Sequence, residues 1–189
     1  MSNLWNLANQ LTLFRLLAIP AILIAILYGR HGWALWLFLA AAVSDGIDGV
    51  VARRLNVKTA LGAYLDPIAD KLLLTSSLVV LSIIGSVPWW VTILAVTRDA
   101  IIIATVLVVT LATEIRRFPP SALGKLNTIV VGVAVPAVLL RNAYPGAATE
   151  TLAEVLIWLT AAFTVLSGVH YAIALSRRLT QHAAGGCAT

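Results

Sequence analysis

Asp45, Asp48, Asp66 and Asp70 fall within 26 residues of a 189-residue chain that is 60% hydrophobic and has only eight acidic residues. A carboxylate at membrane depth costs roughly 2.5–3.5 kcal/mol, so four together require compensating positive charge. A divalent metal centre is the most economical source of it. On a helix, residues three and four apart share a face, which pairs Asp45 with Asp48 and Asp66 with Asp70. Both pairs can converge on one site. Hard oxygen ligands favour Mg²⁺, Mn²⁺ or Ca²⁺ over zinc, and His31, His170 and His182 form no cluster that would alter that preference. Two such ions can bridge a pyrophosphate and stabilise both the attacking and the departing oxygen of a displacement. Gly46 and Gly49 remove side-chain bulk beside the acids. Arg53 offers a planar donor fork to phosphate oxygens. The competing readings are ion pairs with Arg53, Arg54, Lys58 and Lys71, or an ion pathway.

The elements that must hold these residues are apolar helices. Charged residues make up 11% of the chain against about 25% in soluble domains, and the mean hydropathy is +0.96. Such a composition predicts an all-α, polytopic membrane protein with about six transmembrane helices and a short N-terminal interfacial helix. Apolar runs place the spans near 9–28, 33–52, 63–85, 88–112, 122–141 and 151–175. The corresponding organisation is an interfacial helix over 1–8 with Trp5 at headgroup level, one six-helix catalytic domain over 9–176, and a cytoplasmic tail over 177–189. Within that tail, the small and polar residues from His182 to Thr189 predict disorder. Pro20 and Pro136 fall inside spans and permit kinks there.

Basic residues collect on one side: Arg15, Arg53, Arg54, Lys58, Arg116, Arg117, Lys125, Arg177 and Arg178 lie at inner ends and loops, against Arg30 and Arg141 outside. The asymmetry predicts both termini in the cytoplasm. Trp33, Trp36, Trp89 and Trp90 then form an outer aromatic belt. The net charge of +5 flanks apolar spans, so its expected partners are anionic lipid or a phosphorylated substrate and not nucleic acid. Cys187 stands alone, which excludes an internal disulfide and a cysteine metal cluster.

The stretch D-x-x-D-G-x-x-A-R, eight residues, then G-x-x-x-D-x-x-x-D resembles the CDP-alcohol phosphotransferase family at every specified position: Asp45, Asp48, Gly49, Ala52, Arg53, Gly62, Asp66 and Asp70. Asn9, Thr12 and Arg15 also fit its N-x-x-T-x-x-R opening, with Ala8 where proline is often found. The resemblance implies transfer of a substituted phosphoryl group from a CDP-linked donor, commonly CDP-diacylglycerol, to an alcohol with release of CMP. It implies Asp45, Asp48, Asp66 and Asp70 as the metal site for two Mg²⁺ or Mn²⁺ ions, with Asp70 also the general base. Asn9, Thr12, Gly49, Ala52, Arg53, Thr59 and Gly62 are implied on the cytidine diphosphate, and the family implies a homodimer.

For the acceptor, Arg98 and Lys125 are expected to clamp a phosphate, with Thr128 adding a hydroxyl. Against this stands a structural Arg98–Asp99 contact and a Lys125 that snorkels to headgroups. Within the family the central segment looks like the phosphatidylglycerophosphate synthases, which use glycerol 3-phosphate. Arg98-Asp99 and Lys125-Leu126-Asn127-Thr128 are similar to cardiolipin synthases of the same superfamily, which use phosphatidylglycerol. Glycerol 3-phosphate is the expected acceptor and cardiolipin synthesis the alternative, in a bacterial inner membrane with the active site facing the cytoplasm. A cation transporter would spread polar residues along several spans, and a scaffold would leave the acid spacing unexplained.

Overall fold

The computed structural model describes the backbone of residues 7–55, 60–112 and 122–185, and the side chains of 15–44, 68–105 and 123–171. Six helices follow one another: α1 (Leu7–Leu27), α2 (His31–Leu55), α3 (Ala60–Ile83), α4 (Trp89–Ala112), α5 (Ala122–Ala143) and α6 (Ala147–Gly185). Each covers one of the apolar runs read from the sequence. The proposed interfacial helix falls largely on residues 1–6, outside the described residues.

Two helix ends are set by glycine. Gly29 (φ 70°) and Gly85 (φ 75°) adopt the left-handed conformation that terminates α1 and α3. At the first, Gly29 N donates to Ile26 O and Arg30 N to Ala25 O; at the second, Gly85 N donates to Ser82 O and Ser86 N to Leu81 O. Both are Schellman motifs, which satisfy the last carbonyls of the helix and turn the chain sharply. The α3–α4 turn is braced from outside itself: Arg141 NH2 donates to Ser86 O at 2.6 Å and Asn142 Nδ2 to Ser86 Oγ at 2.7 Å. The end of α5 is thereby tied to the start of α4.

Packing follows two closed circuits of helices. In the first, α1 contacts α2 and α3, and both of those contact α5; in the second, α3 contacts α4 and α5, which both contact α6. The α3–α5 contact is common to both. Among the described residues no contact between α2 and α3 is recorded; the ends that carry Asp45, Asp48 and Asp66 have side chains outside the described residues.

The core draws on every helix, including Ile22, Ile26, Phe38, Leu73, Leu81, Val91, Val135, Leu139 and Ile157. Ala34, Ala41 and Ala153 are fully buried and let backbones approach closely. Outward faces are apolar too, with Leu17, Ile24, Ile93, Ile101, Val133 and Val165 exposed. Leu123–Ala143 and Ala147–Tyr171 are long and apolar enough to cross a bilayer. Trp33, Trp36, Trp89 and Trp90 are exposed as the belt requires, and Trp90 packs against Trp158 at 5.4 Å between ring centroids.

One expectation is corrected: His182–Gly185, expected to be disordered, continue α6, which runs unbroken to Gly185. Residues 186–189 lie outside the described residues. Arg15 is 2% exposed within α1, where a guanidinium must be answered electrostatically by the protein.

Leu81 is fully buried in the second circuit. Leu81→Ala should lower the stability of the fold by about 2–5 kcal/mol, read as a lower thermal transition in detergent micelles. An unchanged transition would show that the circuit is loosely packed.

Candidate active site

A cavity with charged walls opens beside the second circuit. It has a volume of about 220 Å³ and is lined by Asp70, Lys71, Leu74, Thr75 and Leu78 of α3, by Ala95, Val96, Arg98 and Asp99 of α4, and by Asn127, Thr128 and Val131 of α5. The α3 contributors recur at three- and four-residue intervals, the spacing of one helical face. The cavity's volume equals that of about seven waters at liquid density.

Charge organises the walls. Asp99 Oδ1 accepts from Lys71 Nζ at 2.8 Å and from Arg98 NH1 at 2.8 Å. Arg98 NH2 donates to Ser167 Oγ at 2.5 Å, bringing in α6. One guanidinium fork therefore links α4 to α6 while the carboxylate beside it links α4 to α3. Arg98 is 8% exposed, and its aliphatic stem packs at Gly168, where a Cβ would meet Arg98 Cγ at an ordinary 3.9 Å. Below this layer α6 presents Thr164, whose hydroxyl donates to Asn127 Oδ1 at 3.0 Å. Thr128 Oγ1 donates to Gly124 O at 3.2 Å within α5.

Of the residues expected to hold the acceptor, the cavity brings together Arg98 and Thr128. Lys125 is exposed and is not among the lining residues. The second cation at the wall is Lys71, which the sequence presents only as a neighbour of Asp70. Asp70 is half-buried and opens on the same cavity. Asp66 lies one turn earlier in α3, and Asp45 and Asp48 lie in α2, all with side chains outside the described residues. The same holds for the side chains of Asn9, Thr12, Gly49, Ala52, Arg53 and Gly62, and for Thr59 altogether. Ser167 carried no signal, being 69 residues from Arg98; Asn127 sits in the quoted α5 segment, but nothing in its spacing marks it as a wall residue.

Residues 5–166 match the family described as CDP-alcohol phosphatidyltransferase. The chain belongs to that family. A Mycobacterium tuberculosis relative named "Probable phosphatidylglycerophosphate synthase" is 41% identical over 176 residues, covering 88% of this chain and 79% of the relative. The Bacillus subtilis CDP-diacylglycerol--glycerol-3-phosphate 3-phosphatidyltransferase is 33% identical over 183 residues, covering 89% and 94%. A second Mycobacterium tuberculosis protein, named "Putative cardiolipin synthase", is 35% identical over 138 residues, covering 72% and 66%.

Ser167→Ala leaves one arm of a buried guanidinium without its partner. A loss of about 1–3 kcal/mol is expected, measured as a fall in the thermal transition, with Ser167→Thr retaining most of the stability. Equal behaviour of the two variants would detach the Arg98–Ser167 bond from α4–α6 docking.

Proposed function

We propose that this member of the CDP-alcohol phosphatidyltransferase family transfers the phosphatidyl group of CDP-diacylglycerol to glycerol 3-phosphate, giving phosphatidylglycerophosphate and CMP. The observation that carries the reading is the juxtaposition in one cavity of the Asp70 carboxylate with two cations, Lys71 and Arg98, and the Thr128 hydroxyl. A base beside an anion-binding wall is what an acceptor with a hydroxyl at one end and a phosphate at the other requires. The relatives named for phosphatidylglycerophosphate synthesis, matched over most of their length, support the same acceptor. Cardiolipin synthesis is the second reading. The relative named for it and the shared glycerol and phosphate of the two acceptors favour it.

Asp45, Asp48, Asp66 and Asp70 would hold the divalent metal, two ions of Mg²⁺ or Mn²⁺. The donor set suits them: all four are hard carboxylate ligands, and Asp70 is half-buried on the cavity wall, open to a shared ion. When bound, the metal neutralises pyrophosphate charge and that of the departing CMP. The chain's own residues do the rest. Asp70 takes the proton of the acceptor hydroxyl as its oxygen bonds to the phosphorus that bears diacylglycerol. The bond from that phosphorus to the bridging oxygen breaks, and CMP leaves with the electron pair. Lys71 and Arg98 hold the acceptor's phosphate so that its hydroxyl faces Asp70, replacing an encounter in solution by a fixed geometry. Asn9, Thr12, Gly49, Ala52, Arg53, Thr59 and Gly62 hold the cytidine diphosphate, and Lys125 guides acceptors or lipid headgroups at the rim.

All six helices cross the membrane in this reading, as one domain over 9–176. The outward apolar residues on every helix support it, since a soluble monomer rarely exposes contiguous apolar patches beyond a few hundred Å². The basic asymmetry supports cytoplasmic termini and a cytoplasmic site, and the bacterial relatives support an inner membrane. A homodimer is included on family resemblance.

Purified protein given CDP-diacylglycerol and Mg²⁺ or Mn²⁺ should release CMP with glycerol 3-phosphate, and a chelator should stop it. A product with two phosphatidyl groups, formed only when phosphatidylglycerol is offered, would replace the first reading by the second. Asp70→Asn should reduce turnover by about 10²–10⁴-fold while CDP-diacylglycerol still binds. Wild-type turnover in that variant would remove Asp70 from the role of base.

A further inference from the structure

The cations of the cavity already face an anion of the protein. A single oxygen of Asp99 serves Lys71 from α3 and Arg98 from α4, each at 2.8 Å. Arg98 is also pinned by Ser167, whereas its buried Nε has no partner among the described residues. The charged side chains on the wall are Asp70, Lys71, Arg98 and Asp99, two of each sign. An ammonium has three donors and a guanidinium five, so an incoming phosphate can share Lys71 and Arg98 with Asp99 without evicting it. It then rests close to a fixed carboxylate. Repulsion between like charges at such separations is substantial away from bulk water, and it doubles when the phosphate goes from one negative charge to two.

We infer that Asp99 is a specificity-determining residue: sharing Lys71 and Arg98 with the acceptor's phosphate, its carboxylate repels that phosphate and so limits how strongly the cavity favours a doubly charged phosphomonoester over a singly charged phosphodiester. The inference rests on the acceptor site proposed above. It separates Asp99 from a residue that merely holds α3 and α4 together, whose loss would harm every acceptor alike.

The test uses two soluble acceptors that differ in one charge, glycerol 3-phosphate and its methyl ester, at about pH 8, well above the second phosphate ionisation near 6. Asp99→Asn keeps the shape and an acceptor oxygen for both cations but removes the charge. The ratio of kcat/KM for the monoester to that for the diester should rise about tenfold, equivalent to about 1.4 kcal/mol, mainly through a lower KM for the monoester. Asp99→Glu should keep the wild-type ratio. Parallel changes for both acceptors, or a falling ratio, would overturn the inference. A second measurement needs no variant: inorganic phosphate and dimethyl phosphate should inhibit the wild-type enzyme with constants within about tenfold of each other, and a larger preference for the dianion would also overturn it. If the wild-type enzyme used only alcohols without phosphate, and neither anion inhibited it, the acceptor reading itself would fail, and this inference with it.

Discussion

Charge placed among apolar helices has to be answered by charge on a neighbouring helix, and the Lys71–Asp99–Arg98 cluster does this where α3, α4 and α6 meet. Dispersion between apolar faces is non-directional and tolerates sliding. A guanidinium with one arm on Asp99 and another on Ser167 does not, because both bonds demand a defined distance and plane. The cluster thus fixes the register in which α4 meets its neighbours, and the cavity wall inherits that register. Arg98 is the cluster's buried member, while the Lys71 and Asp99 side chains are 38% and 20% exposed, so loss of Asp99 is felt chiefly by the guanidinium left without its anion.

The second circuit of helices is graded along its length. Near the α3–α4 turn its interior is apolar and closely filled by Leu81, Val91, Val138 and Ile157. Farther along, Thr160, Thr164 and Ser167 follow one another up the buried face of α6, and the wall becomes charged at Lys71, Arg98 and Asp99. The charged part of the circuit's interior is thereby confined to one end. Confinement matters to the proposed chemistry, because a base and an anion-binding wall act more strongly where bulk solvent does not screen them.

Helix number, order and most boundaries were legible in the sequence because apolar runs of spanning length, interrupted by glycine or proline, leave few other solutions. Asp70 was legible from its spacing to Asp66 and Asp48. Arg98 was too, as a cation in an apolar stretch: it makes the structural contact with Asp99 and lines the cavity. What could not be read was pairing between helices distant in sequence. Lys71 beside Asp70 has the look of a local counter-ion, yet its partner is on α4; Ser167 in an ordinary small-residue segment of α6 has no local pattern at all.

The bonds from Arg141 and Asn142 to Ser86 close the second circuit at the α3–α4 turn, and those of Lys71, Asp99, Arg98 and Ser167 close it again beside the cavity. Helices fastened at two levels resist both sliding and splaying, since either movement has to break directional bonds at one level or the other.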